Sequence, residues 1–412
     1  MKRTAIILFL SVLSFLSRAQ VTPDSCTMEI SLLTCSPGNE LYSLFGHTAI
    51  RIRDARRGMD IVYNYGTFDD SDPLFYFYFT RGIMLYSLSA EPLDSFMKEY
   101  EDEHRNVVEQ ILNLSCEEKN RLYESLRKNT MDENRLYQYH FHTDNCTTRA
   151  ARIIESNTND SVLYKDIFSV NSSVVPHSTE SLISGPGMSY RDMIHKYLER
   201  EHQDWPEFGI DMLLGKNLDI KPTNIESIHF LPDYLYKGMD SAHEGNKPMV
   251  LERRTLLQFP AEKLSAGWFT PMLFFTLLFI LSVSLYFLKN NTGAVRGLLV
   301  FDILFFTLLG LIGLLMTYMW LGRIDDVCRN NINILWALPT HIIAVFFIRK
   351  KTAWVKYYFL ATAILASVLL IVFPFGMQRM NTAVLPILAI IIFRSYSLYK
   401  NRNHAKKHTV QG

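Results

Sequence analysis

An excess of either charge is missing from this chain: 42 Lys and Arg face 41 Asp and Glu, for a net charge of +1. A nucleic-acid-binding surface needs a basic excess. Here the basic residues gather mainly beside apolar segments, so that class has no support. Cysteine is scarce. Five in 412 residues exclude a disulfide scaffold, although Cys26 and Cys35 could pair in an oxidising compartment. The chain also lacks a Walker loop, a dinucleotide-binding glycine pattern and a Gly-x-Ser-x-Gly elbow. His140 and His142 share one strand face, but no second group of His, Cys or Asp stands at ligand spacing. Neither a metal nor another cofactor is expected.

Charge itself runs out part-way along. Up to about Ala266 the sequence is ordinary globular material, and beyond Trp268 it is mostly apolar. Five apolar stretches follow, at about 269–288, 297–321, 332–348, 357–375 and 382–393, each read as a transmembrane helix. The last is short enough to be re-entrant or oblique. Cations crowd the flanks at Lys289 and Arg296, at Arg349, Lys350, Lys351 and Lys356, and at Arg394, Lys400, Arg402, Lys406 and Lys407. Only one orientation gathers them on the cytoplasmic side: the first half outside, the tail inside, five crossings between. The start of the chain agrees, since Lys2 and Arg3 precede an apolar core and Ser17–Arg18–Ala19 offers small residues for cleavage, the form of a secretory signal. Among intramembrane polar residues, Asp302 lies close to a cytoplasmic end, while the deeper His341 either faces the bundle or serves function. The expected organisation is a signal over 1–19, an extracytoplasmic domain over 20–266, a five-helix membrane module over 267–398 and a basic cytoplasmic tail over 399–412, in the inner membrane.

One stretch of the first half has the form of a nucleophile's seat: His142–Thr143–Asp144–Asn145–Cys146–Thr147–Thr148–Arg149. The alternating aromatic run 137–142 reads as a strand before it, and 150–155 reads as a helix after it. Strand, turn, cysteine, helix places the thiol at a helix N-terminus, where unpaired N–H groups and the dipole favour the thiolate. No other cysteine has such a neighbourhood. A thiolate needs a base, and the best placed is His47, in the strand-like run Gly46–His47–Thr48–Ala49–Ile50–Arg51–Ile52. A hairpin with 61–65 brings Asn64 or Tyr63 beside His47, to hold one ring nitrogen and leave the other free to act. Asn64 is preferred because its amide oxygen accepts from an imidazole N–H.

The aromatic patch 75–79, continued over 82–88, reads as a core strand pair or as an apolar groove for an acyl chain. Helices are expected over 92–103, 189–202 and 205–215, and another starts at the Ser115–Glu118 capping box and ends near Asn129. The Ser-, Pro- and Gly-rich 171–187 reads as a loop, and Arg253, Arg254 and Lys263 are expected to meet headgroups before the first span.

The order of His47 before Cys146 reverses that of ordinary papain-like and NlpC-type hydrolases and resembles their circularly permuted branch, which includes the lecithin:retinol acyltransferases. A nearer resemblance covers almost the whole chain. Phe45–Gly46–His47, Asn64–Tyr65–Gly66–Thr67–Phe68, Asp144–Asn145–Cys146–Thr147 and Asp211–Met212–Leu213–Leu214–Gly215, in that order, resemble the Lnb-type lipoprotein N-acyltransferase family. That resemblance implies an α+β fold, a permuted papain-like (NlpC/LRAT-like) extracytoplasmic domain followed by an all-α bundle of five transmembrane helices. It implies transfer of a fatty acyl group from a membrane phospholipid, through a Cys146 thioester, to the N-terminal amino group of a lipoprotein. Cys146, His47 and Asn64 would be catalytic, and Asn145, Tyr65, Phe75 and Phe79 would meet substrate. Two other classes stand beside this reading. A membrane-anchored cell-wall peptidase or amidase would use the same Cys–His pair with water as acceptor, and a non-enzymatic sensor or transport component would leave the pair vestigial. Nothing in the sequence sets the oligomeric state.

Overall fold

Alternation of apolar and polar residues organises the first half. Ile30 and Leu32, Ile50 and Ile52, and Tyr63 and Tyr65 each stand two residues apart, and all are at most 5% exposed, so three strands turn one face to a shared core. The computed structural model describes residues 26–40, 42–68, 73–168, 187–200, 202–260, 267–288, 290–350 and 352–407. The expected signal, most of the 171–187 loop, Lys263 and the last five residues of the tail lie outside the described residues.

Strands β1 (Met28–Cys35), β2 (His47–Asp54), β3 (Met59–Thr67), β4 (Leu85–Pro92), β5 (Val107–Leu112), β6 (Leu136–Gln138) and β7 (Val250–Leu257) form one antiparallel sheet in the order β7-β5-β1-β2-β3-β4-β6. Helix α1 (Phe75–Thr80) precedes β4. Helix α2 (Leu93–Asp102) covers one sheet face with Phe96, Met97 and Tyr100 over Leu33, Ala49 and Val62. Helices α3 (Cys116–Asn129) and α4 (Cys146–Glu155) pack on the other, through Leu122 and Leu126 and through Ala150, Ala151, Ile153 and Ile154. The Ser115–Glu118 capping box starts α3. Helices α5 (Tyr190–Arg200), α6 (Asp204–Leu213) and α7 (Pro232–Ser241) complete an α+β domain.

Two expected strands took other forms. Residues 75–80 are helical, because a run of five aromatics has no polar alternation to fix a strand. The turn is closed by Tyr78 N–H on the Leu74 carbonyl at 2.9 Å and by Phe75 stacking on Phe79 four residues on, at 6.4 Å. The strand expected over 137–142 ends at Gln138, since His140 and Asp144 exchange both backbone hydrogen bonds at 3.0 Å and close a tight loop.

Cysteine geometry also departs from expectation. Cys35 is buried beneath Tyr100, whereas the half-buried Cys26 thiol hydrogen-bonds that of Cys116 at the start of α3. Peptide mapping under non-reducing conditions is expected to find any disulfide of the extracytoplasmic domain between Cys26 and Cys116. A Cys26–Cys35 crosslink would contradict this arrangement.

The second half is a bundle of α8 (Pro271–Phe287), α9 (Thr292–Gly322), the short α10 (His341–Phe346), α11 (Ala353–Val372) and α12 (Val384–Lys407). Among the described residues, two helices are long and apolar enough to cross a membrane, α9 and Ala353–Phe375, and α8 is a shorter apolar helix. The fifth apolar stretch is short, but the helix that carries it, α12, runs on into the basic tail. The third stretch corrects the expectation of five continuous helices. Residues 332–348 form a 3-10 turn, Ile332–Leu335, and then α10, because Pro339 cannot continue a helix. The irregular backbone lies against Gly310 and Gly313 of α9, so close that a Cβ on Gly313 would stand 1.8 Å from the Ala337 carbonyl oxygen. Arg394 is likewise no flanking charge: it is 1% exposed and forks onto Asp302 at 2.7 and 2.8 Å.

The two halves are joined by main-chain groups. Asn331 Nδ2 donates to the carbonyls of Met212 and Leu213 at 2.8 and 3.0 Å, Asn333 Nδ2 to that of Asp211 at 2.9 Å, and the Gly215 N–H to that of Val327 at 2.8 Å. A side chain at Gly215 would collide with the Arg329 carbonyl. The expected stability test is on the buried ion pair. Asp302→Ala leaves the Arg394 charge buried and alone and should cost about 3–5 kcal/mol. Thermal unfolding in detergent should show the loss, and an apolar replacement of both partners should recover most of it.

Candidate active site

Cys146 is the first residue of α4, and its helix is seated by the residue before it. Asn145 is the N-cap: its Oδ1 accepts from the Thr148 N–H at 2.9 Å and the Thr148 hydroxyl at 3.0 Å, and its Nδ2 donates to the carbonyls of Phe141 and Phe230 at 2.9 and 2.8 Å. His47 opens β2 directly after Gly46, whose φ of +73° and closeness to the Cys35 carbonyl suit only glycine. Its Nε2–H donates to Asn64 Oδ1 at 2.6 Å, which leaves Nδ1 for the Cys146 sulfur. The Thr48 backbone N–H also donates to that sulfur, and the Thr147 hydroxyl lies 3.9 Å from it. Gly66, at φ +99°, roofs the pair, with His47 Cε1 and Cys146 Cβ each 3.7 Å from where its side chain would begin.

The electrostatics are reciprocal. Burial pushes the Cys146 thiol up, but the His47 charge and hydrogen bond, the Thr48 N–H and the Thr147 hydroxyl outweigh it, and the thiol ends below its ordinary value. Burial also lowers His47. The Cys146 charge and the hydrogen bonds to Cys146 and Asn64 outweigh that, and the imidazole ends above its ordinary value. Each shift favours the thiolate–imidazolium form, a nucleophile with an oriented proton carrier beside it.

The Lnb N-terminal periplasmic domain matches residues 16–185, and the Lnb transmembrane domain matches residues 262–406. The chain belongs to the Lnb family. No curated protein and no solved structure matches it. Lnb membership carries with it a membrane protein with a periplasmic N-terminal part and a function of the lipoprotein N-acyltransferase type.

Within this Lnb chain the residues expected at the site separate into two groups. His47, Asn64 and Cys146 come together. Tyr63 is 5% exposed and faces the core, so of the two residues considered to orient His47 only Asn64 reaches it. Asn145 and Tyr65 are both buried, with their polar groups taken up in internal hydrogen bonds. Asn145 is 3% exposed with both amide groups occupied, and Tyr65 is 2% exposed, its hydroxyl accepting from Asn129 Nδ2 at 2.9 Å. Tyr65 follows Asn64 along β3 and turns to the opposite face, and Asn145 is consumed in capping α4. Phe75 and Phe79 lie on α1 rather than beside the sulfur. They run towards it through other rings whose chaining the sequence did not show: Phe75 stacks on Phe68 at 5.4 Å, Phe68 on Tyr86 at 5.0 Å, and Tyr86 meets Tyr139 at 4.5 Å. Tyr86 and Tyr139 both lie within electrostatic reach of the Cys146 sulfur. The signal for Phe68 was present, two residues past Gly66. Arg253 and Arg254 are not free for headgroups, being paired with Asp240 and with Glu252 and Glu29 on the sheet's edge strand. A group of His195, Glu207 and Asp211 converges at the joint between the halves, but Asp211 Oδ1 already accepts from Arg191 at 3.0 Å and from His195 at 2.8 Å.

The depressed thiol gives a pH test. Thiolate persists below the ordinary thiol range while His47 is charged beside it. Replacing His47 by Gln removes that charge and should move the midpoint upward. Iodoacetamide labelling of the Cys146 peptide, followed by mass spectrometry across pH, reads this directly. Equal midpoints in the two proteins would dissolve the pair.

Proposed function

We propose that this chain is a lipoprotein N-acyltransferase: it takes a fatty acyl group from a membrane phospholipid and passes it to the amino group of a lipoprotein's N-terminal, lipid-bearing cysteine. The observation that carries this reading is the thiol at the α4 N-terminus, with His47 and Asn64 in line behind it, on a domain fastened by its backbone to an apolar helical module.

In the first half-reaction the Cys146 thiolate attacks an ester carbonyl of the donor. The Cys146 backbone N–H, at the first helical position and without an intrahelical acceptor, faces the developing oxyanion. The C–O bond breaks, His47 gives its proton to the departing oxygen, and a lysophospholipid leaves behind a Cys146 thioester. In the second, the acceptor amine attacks that thioester. His47 takes the proton from nitrogen, the C–S bond breaks, and an amide and the thiolate result. Asn64 keeps the imidazole in the tautomer whose Nδ1 faces sulfur in both steps. A thioester suits an amine acceptor because sulfur conjugates weakly with the carbonyl and leaves readily. No cofactor enters.

The arrangement fits a circularly permuted papain-like domain, with the histidine strand ahead of the cysteine helix. It also fits an inner-membrane topology of five crossings, four by helices and one by the broken segment 332–348, with the C-terminus cytoplasmic. The backbone joint to residues 327–333 would hold the domain against the outer leaflet, where both lipid substrates reside.

Incubation of the membrane-embedded protein with a phospholipid should leave Cys146 carrying a hydroxylamine-labile acyl mass, which an acceptor lipopeptide discharges as an N-acyl product. Cys146→Ala should abolish both signals, and His47→Ala should slow adduct formation by about a hundredfold or more. Release of free fatty acid or of cleaved peptidoglycan, with no N-acyl product, would replace transfer by hydrolysis.

A further inference from the structure

Helix α1 presents an apolar surface where a soluble domain would not. Leu74, Phe77 and Phe79 are 51%, 49% and 41% exposed, and Tyr78 shares the same surface. Contiguous exposure of this kind marks a place that something apolar covers. The helix is also tied to the membrane module at one level. Arg323, the residue just after α9, donates through Nη1 to the Phe79 carbonyl at 2.8 Å, and the Ile324 N–H donates to the Arg81 carbonyl at 3.0 Å. Gly82, at φ +69°, lets Asp325 approach so near that a Cβ would stand 2.8 Å from its carboxylate, and Asp325 neutralises Arg323 within the same joint. At the entrance to α8, Trp268 is 81% exposed, and Phe269 holds the Trp205 indole N–H on its carbonyl at 2.8 Å. The end of one apolar helix and the start of another are thus each ringed by aromatics, the pattern of side chains at the headgroup level of a bilayer.

From α1 the rings continue inward. Phe79, Phe75, Phe68, Tyr86 and Tyr139 follow one another at ring separations of 4.5 to 6.4 Å, and the last two pack against the core cluster that contains Cys146 and lie within electrostatic range of it. We propose that α1 rests in the outer leaflet as the lip of the site, and that the ring strip from Phe79 to Tyr139 guides the acyl chain of a leaflet phospholipid to Cys146. This rests on the transferase reading above and adds to it the route by which the donor arrives. The physical need is plain: carrying an acyl chain through water exposes every methylene, whereas a strip continuous with the bilayer keeps the chain covered.

The test has two arms on the full-length protein in phospholipid membranes. The first places photoreactive benzoylphenylalanine at Phe77 or, for comparison, at Leu163, which is 64% exposed on a strand paired with His243 rather than on α1. Illumination should attach phospholipid acyl chains at Phe77 and not at Leu163, and equal labelling at the two sites would overturn the lip. The second compares Cys146 acylation by a palmitoyl and by a hexanoyl phospholipid in wild type, Phe68→Ala and Phe75→Ala. The ratio of long-chain to short-chain rate should fall about tenfold in each variant, the worth of roughly two methylenes left uncovered. An unchanged ratio, whatever the absolute rates, would overturn the strip. Failure of any donor to acylate wild-type Cys146 would count against the transferase reading itself, and the labelling at Phe77 would still decide where α1 lies.

Discussion

One amide side chain governs the geometry on which the chemistry depends. Asn145 stands where the loop after β6 becomes α4, and its oxygen and nitrogen are both committed: the oxygen to the first turn of the helix, the nitrogen to carbonyls in the preceding loop and in the segment before α7. The helix can begin in only one place, so the thiol is presented at the end of the dipole rather than along its side. The cap is buried, so no water competes for these bonds, and each is worth more for that. Every later step inherits this placement. The Thr48 and Thr147 hydroxyls, 3.1 Å apart, then fix β2 against α4, and His47 follows β2.

A second constraint acts between the halves. The segment 211–215 offers its carbonyls to Asn331, Asn333, Gln378 and Arg191 and has no room for a side chain at its final glycine. Backbone-to-side-chain bonds of this kind leave little freedom to hinge, so the site's height above the helices is set by the fold rather than by a linker. Arg191, fully buried with Asp211, supplies the only guanidinium that could balance that carboxylate among its described neighbours. Loss of either would loosen the seat of the whole domain before it touched Cys146 or His47.

Much of this could be read from the chain itself where a period or a spacing has a single physical solution. The β2–β3 hairpin put Asn64 within reach of His47, and the capping box at Ser115 and the helix after Asn145 began where their hydrogen-bonding residues stand. Reading failed where one pattern has two solutions. Five consecutive aromatics have no polar alternation to separate strand from helix, and the helix over 75–80 is closed by its own backbone bond and by Phe75 on Phe79, with Arg323 fastening its end. Tyr65 follows Asn64 on β3 and so turns to the opposite face, into the core, while Asn145 is taken up as the α4 cap, and neither placement shows in adjacency alone. Hydropathy counted 332–348 as a span since its residues are apolar, but Pro339 and the facing glycines of α9 exchange helical bonds for close backbone contact. Arg394 looked like a flank because Asp302, 92 positions earlier, is invisible to any local window.

The broken segment also bears on how the protein is made. A continuous apolar helix satisfies its own carbonyls and can enter lipid by itself. Residues 335–340 do not form such a helix, and at Ala337 and Pro339 their main chain lies against Gly313 of α9. On the five-crossing topology proposed above, this stretch enters the bilayer against α9 rather than alone. Synthesis from the N-terminus delivers the partner first, so the order of the chain is also the order in which its pieces become soluble in lipid.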